Sequence, residues 1–407
     1  MRSELKKYAE VAVKVGLNVQ KGQQVIINAP IEAADLVRLV TDESYKVGAS
    51  DVVTLYVDDY NVLSKYKNGH DESFDSSPQW LADGLYNAFD QGAARLNIIG
   101  RNPTLLEGID PNLISRSSKA RSIAFKKVME LVTSSASQWS IISYATPEWA
   151  MQVFPDELTE RDAVYRLWDE IFEACRINSE DPISEWKSHN QNIHKRAKIM
   201  NDLRFDSLRY KSSTSDIVFG LADGHIWEGG SSPSKSGIMF NANIPTEEIF
   251  TTPKRNYVNG WVKSTKPLYY QGTKIDGISV EFENGKAVKV TATDGEDVLI
   301  NMINQDEGAS YLGEIAIVPF SSPISKSGII FKETLFDENA SCHVAFGQSY
   351  TSCMSVIENE TNDEYMNRGG NFSRVHTDWM IGSNDLDIYG IKDGIETKIF
   401  ENGEWIV

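Results

Sequence analysis

Hydrophobic and polar positions in the first 150 residues alternate between two rhythms. Residues 3 to 15 repeat apolar side chains at helical spacing (Leu5, Tyr8, Ala12, Val15) and then meet Gly16, a common helix-ending residue. "QVIINA" reads as a buried strand, "EAADLVRLVTDESYKVG" as a helix closed by Gly48, and "DVVTLYV" as the next strand. Strand, helix and strand in that order form a βαβ unit, which implies a parallel sheet with a right-handed crossover. "ARLNIIG" at 94–100, a long helical stretch from Pro111 to Val132, and "WSIISYA" at 139–145 continue the alternation. No Gly-x-Gly-x-x-Gly or Walker-type Gly-Lys-Ser/Thr follows any of these strands, so this layered α/β region reads as a scaffold without a nucleotide fingerprint.

Residues 157–205 are polar and helix-prone, as expected of helices that join two domains. His189 and His194 fall here at a spacing of five, which does not place both on one helix face, and they read as surface residues. After residue 206 the pattern changes to strands and turns. Asn284-Gly285 lies between alternating apolar runs, a strong hairpin signal, and Asn402-Gly403 repeats it near the C-terminus. The expected fold class is therefore α/β in two domains. Residues 1–205 form an N-terminal α/β layered domain with a parallel sheet and connecting helices, and residues 206–407 a β-rich, mixed α/β C-terminal domain.

Composition agrees with two domains: 407 residues, 41% of them apolar and including nine Trp and sixteen Phe, can bury large cores. A formal net charge of -18 repels phosphate backbones and anionic lipid, which argues against nucleic acid and membrane surfaces as partners and favours cationic ligands or metal ions. Most of that charge is expected to be solvated surface. No apolar run reaches eighteen residues, and "MRSELKKYAEVAVKVG" spreads charges through an amphipathic pattern unlike a signal-peptide core, so a soluble cytoplasmic protein is expected. Cys175, Cys342 and Cys353 match neither a zinc ribbon nor a redox Cys-x-x-Cys, and Cys342 reads as a small buried residue despite its neighbour His343.

Candidate chemistry gathers in the second half. "ANIPTEEIFTTP" carries Glu247 and Glu248, "YLGEIAIVPF" carries Glu314, "LFDENASCHVAFGQSY" carries Glu338, His343 and Tyr350, and "VHTDWMIGS" carries His376 and Asp378. Glu314 directly precedes a hydrophobic run, where a buried charge costs several kcal/mol unless a cation or a donor meets it. His376 and Asp378 are two residues apart, so an extended strand presents both on one side.

Read together, "IPTEEIFTTP", "GEIAIVP", "SPIS", "TLFDENASCH", "HTDWMIGS" and "DGIETKIFENGEW" closely resemble the metallo-aminopeptidase family of aminopeptidases T, S and PepS. "KVGLNVQKGQQVIINAP", "YKVGASDVV" and "GLADGHIWEGG" extend the resemblance over almost the full chain. It implies release of N-terminal residues from short peptides by water activated between two divalent ions, with zinc or cobalt foremost and manganese or magnesium possible occupants. By the same resemblance Glu248, His343, Tyr350, His376 and Asp378 are ligands, Glu314 bridges the ions, and Glu338 either ligates or orients His343. It further implies a homodimer.

Tyr350 would ligate as phenolate or through its hydroxyl oxygen, and a dication beside it lowers its pKa. Glu247 is a candidate proton shuttle or anchor for the substrate ammonium. A regular strand would point it away from Glu248, so that role requires an irregular backbone after Pro245. His225 and Trp227 lie in a family-like segment that a turn with a packed tryptophan explains equally well. The rival reading is a different two-metal hydrolase, an amidase or phosphoesterase, built on the same ligands.

Overall fold

The computed structural model describes residues 1–157 and 159–407. The chain forms two compact units, one of Met1–Ser188 with Ser231–Pro245 and the other of His189–Gly230 with Thr246–Val407. The expected border at 205/206 coincides with a change from helix to strand, between the helix Pro182–Leu203 and the strand Ser207–Ser212. Compactness assigns the C-terminal end of that helix to the second unit and the excursion 231–245 to the first.

In the first unit, β1 (Gln24–Pro30), β2 (Asp51–Val57), β3 (Ala94–Ile99) and β4 (Trp139–Ser143) form a parallel sheet in the order β2-β1-β3-β4. The βαβ reading holds: α2 (Ala34–Val47) links β1 to β2 and ends at Gly48, whose φ of 102° is the left-handed conformation that closes helices. Helix α1 (Arg2–Val11) stops one turn earlier than the apolar spacing suggests, and a wider π-helical turn at Ala12–Gly16 carries the chain to Gly16. Two further helices, α3 (Asp59–Asn68) and α4 (Gln79–Asp90), precede β3, and α5 (Pro111–Thr133) connects β3 to β4. The excursion 231–245 returns to the edge of this sheet, where Ile141 N donates to Ala242 O at 2.8 Å and Ile244 N to Ile141 O at 3.0 Å.

The second unit holds an eight-stranded antiparallel sheet and a smaller four-stranded one. Both Asn-Gly hairpins form as expected. Asn284 joins Ser279–Glu283 to Lys286–Thr291 with φ 50°, and Asn402 joins Ile395–Glu401 to Glu404–Trp405 with the same φ.

The smaller sheet positions the candidate chemistry. Its strands β5 (Ile249–Thr251), β6 (Leu312–Ile317), β7 (His343–Gly347) and β8 (His376–Met380) run in the order β8-β7-β6-β5, all antiparallel. Ile315, Val344 and Trp379 lie side by side across it and enter the main core of the unit, where Trp379 stacks on Phe346 with ring centroids 5.5 Å apart. The opposite face carries Glu314, Ala345 and Asp378 in one row, with His343 and His376 two residues along their strands. Among the described residues no helix is long and apolar enough to cross a membrane.

Candidate metal centre

Two groups of carboxylates and imidazoles meet on that face. Ligand atoms of Glu248, Glu314 and His343 lie within 4.8 Å of one another, as do those of Glu314, His376 and Asp378. Glu314 belongs to both: its Oε1 is 3.8 Å from His343 Nε2 and its Oε2 is 3.4 Å from His376 Nε2. Glu248 Oε2 lies 3.0 Å from His343 Nε2, and Asp378 Oδ2 lies 3.6 Å from His376 Nε2. Three of these five residues sit on strands β6 and β8, His343 opens β7, and Glu248 immediately precedes β5.

Local backbone explains the convergence. The pairing of β6 with β7 shifts register between Leu312 and Glu314, a bulge that redirects the Glu314 side chain. Gly313 occupies the bulge because a Cβ there would meet the carbonyl oxygens of Gln348 at 2.2 Å and Gly347 at 2.4 Å. Across the row, Ala345 separates Glu314 from Asp378 with only a methyl group, leaving room between the carboxylates.

Each imidazole is fixed by its other nitrogen. His343 Nδ1 is 3.0 Å from Ser341 O and His376 Nδ1 is 2.7 Å from Gln348 O, so with Nδ1 donating, each Nε2 lone pair faces the carboxylates. Glu248 Oε2 and Asp378 Oδ1 are buried without a hydrogen bond among the described residues. Buried carboxylate oxygens lacking donors, facing imidazole nitrogens held as acceptors, fit a divalent cation with nitrogen and oxygen ligands.

The electrostatics of the protein alone show the same need for positive charge. Burial is the largest influence on Glu314 and raises its carboxyl to about 7, against the lowering effect of the neighbouring His343 imidazole. Burial opposes charge on His343, yet the carboxylates of Glu248 and Glu314 outweigh it and hold the imidazole well above its ordinary value. His376 is raised in the same way, its burial overcome by Asp378 and Glu314. Protons thus gather where a cation would otherwise sit.

The remaining expected residues fall around this group. Glu338 lies outside both sets of three, but burial, with Asp378 and Glu248 close by, drives its carboxyl well above the usual range. Tyr350 keeps 37% of its surface exposed, and its ring centroid is 4.9 Å from that of His376. Burial and the charges of Glu314, Asp378, Glu338 and Glu248 push its phenol well above its usual range, a bias that a dication would have to reverse.

Thr246–Glu248 is irregular, as the role considered for Glu247 requires. Glu247 N donates to Asn339 Oδ1 at 2.7 Å, and its carboxylate lies 3.8 Å from His189 Nε2 rather than within either group. His189 is therefore not a surface residue. Its ring is largely buried, with Nε2 2.7 Å from Thr246 O, because the segment after Pro245 lies against the helix face that carries it. Composition gave no sign of this: a histidine on a polar helix looks solvated until the segment covering it is known.

Cys342 is buried as expected, and burial pushes its thiol up to about 12. His225 and Trp227 stand in a turn and at a packed position: His225 Nδ1 is 3.1 Å from Ala222 O, and buried Trp227 exchanges backbone hydrogen bonds with the Asn201 side chain at 2.8 and 2.9 Å.

Comparison with known proteins adds a full-length likeness. The sequence profile of the thermophilic metalloprotease (M29) family matches residues 1–405. Aminopeptidase T of Thermus thermophilus is 44% identical, over 100% of this chain and 99% of its own length. Aminopeptidase AmpS of Bacillus subtilis is 41% identical, over 99% of this chain and 98% of its own. The solved structure of wild-type AmpT from Thermus thermophilus superposes with a TM-score of 0.94 at 43% identity, covering both chains completely.

Proposed function

Since the chain belongs to the thermophilic metalloprotease (M29) family, we propose that it is a metal-dependent aminopeptidase whose centre holds two divalent ions with Glu314 between them. One observation carries the dinuclear reading: the two oxygens of Glu314 face different imidazoles, each accompanied by a further carboxylate. Glu248 and His343 would hold one ion, and His376 and Asp378 the other. Tyr350 and Glu338 complete the surroundings, Tyr350 as a ligand once its phenol loses its proton and Glu338 as a ligand or as the residue that steers His343.

Bound divalent ions supply Lewis acidity and lower the pKa of water towards about 7. The protein's own part is orientation. The carbonyls of Ser341 and Gln348 keep both rings in one tautomer, and the bulge at Gly313 aims Glu314 between them. Glu247, beside Glu248 but turned towards His189, is the proposed anchor for the substrate ammonium or relay for a proton. The substrate class is short peptides with a free N-terminus, and the oligomer a homodimer.

A chelator should abolish release of Leu or Arg from free aminoacyl substrates, and zinc, cobalt or manganese should restore it with two equivalents bound per chain. Hydrolysis of N-acetylated peptides at an equal rate would overturn the exopeptidase assignment. A single equivalent at full activity would overturn the dinuclear one.

A further inference from the structure

Away from this centre, the first unit contains a half-open groove of about 370 Å³ between its sheet and helix α5. Its floor is apolar, with Phe89 and Phe125 among its walls. Arg95 of β3 enters from the sheet, in register with Ile26, and Arg121 enters from α5 with its guanidinium carbon 4.4 Å from the Phe125 ring centroid. Asn28 and Ser122 add polar groups to the same walls.

The charge of this groove is unusual for the chain. There are 58 acidic and 40 basic side chains overall, yet none of the groove's twelve lining residues is acidic. Among the described residues, neither guanidinium has a carboxylate within 4.0 Å or donates a hydrogen bond. The nearby Lys65 ammonium reaches only a hydroxyl, Ser117 Oγ at 3.0 Å. Burial, then the charge of Arg121, lowers Arg95, while burial followed by Arg101 lowers Arg121. Arg95, partly buried, thus stands beside the charge of Arg121 with no carboxylate to offset it, an arrangement that an arriving anion would relieve.

The geometry points to a binding site for a small molecule that joins an anionic group, carboxylate or phosphate, to an aromatic or aliphatic body. The planar forks of Arg95 and Arg121 suit two oxygens at once, and the walls accept the apolar part. A volume of this size is in the range of small-ligand pockets. No step of peptide hydrolysis uses these residues, so the site is one of binding, and it stands or falls apart from the metal reading.

Calorimetric titration of the metal-loaded protein with phenyl phosphate and with benzoate tests the proposal. Inorganic phosphate and benzyl alcohol serve as the purely anionic and purely apolar comparisons. At least one of the two-part probes should bind about tenfold more tightly than either comparison, and the tighter of the two identifies the anionic group. Arg95→Gln and Arg121→Gln should each weaken that binding about tenfold while leaving aminopeptidase activity intact. Unchanged affinity in the variants, as would follow from binding at the metal ions, overturns the site, as does equal binding of benzyl alcohol. Arg121 projects from an exposed stretch of helix, so its variant keeps the test decisive should Arg95→Gln fold poorly.

Discussion

At the scale of single residues, function depends on which atoms face each other across the small sheet. Replacing Glu314 by Gln removes the one carboxylate shared by both groups. Loss of a partner behind a metal ligand commonly costs 10–100-fold, so Glu314→Gln should lower kcat by more than about 100-fold while circular dichroism stays unchanged. Metal analysis should show fewer than two ions. Glu247 separates two roles: if Glu247→Gln raises KM about tenfold at constant kcat, the side chain anchors the ammonium, whereas a fall in kcat alone marks proton transfer. His376-x-Asp378 was readable because period-two alternation is exact in a strand. The opposition of His189 and Glu247 was not, since 57 residues separate His189 from the segment that covers it.

Among elements, the bulge at Gly313 is the most exposed to test. Gly313→Ala drives a methyl group into two carbonyl oxygens, so the strand must shift at a cost of about 1–3 kcal/mol. Its effect on activity should exceed its effect on stability, because the shift moves Glu314; parallel measurement of Tm and kcat/KM checks this. The parallel strands and both Asn-Gly hairpins were legible because their signals are local. Helix α3 buries no residue fully and so writes no wide apolar stripe into the sequence, whereas α4 does carry one, Leu81, Leu85 and Phe89 recurring at helical spacing. The bulge also left no trace beyond a glycine, since the carbonyls that exclude a side chain there come from the end of β7 and the residue after it, Gly347 and Gln348.

For the whole molecule, the buried carboxyls make stability depend on pH and metal together. Glu314, Glu333 and Asp337 are each raised to about 7 by burial, from ordinary values of 4.5 and 3.8. Between those values the native state therefore holds protons that the unfolded chain has released, and stability falls as pH rises. His343 acts in the same direction: its raised pKa stabilises the fold below the unfolded value near 6.5, and that contribution is lost as pH climbs through the folded value. Chelated protein should lose about 5 °C of Tm between pH 5 and 7.5, whereas saturating divalent metal, by replacing protons at Glu314 and His343, should recover most of that loss. Thermal melts across that range, with and without chelator, measure both slopes.

Three of the four strands of the small sheet begin with or contain a residue of the centre and Glu248 immediately precedes the fourth, so a loaded centre would rivet segments spread over 130 positions of sequence. Deuterium uptake at the amides of 312–317 and 343–347 should accordingly slow on loading. The slowing should extend to Ile315 and Val344, which point into the core and touch no ion.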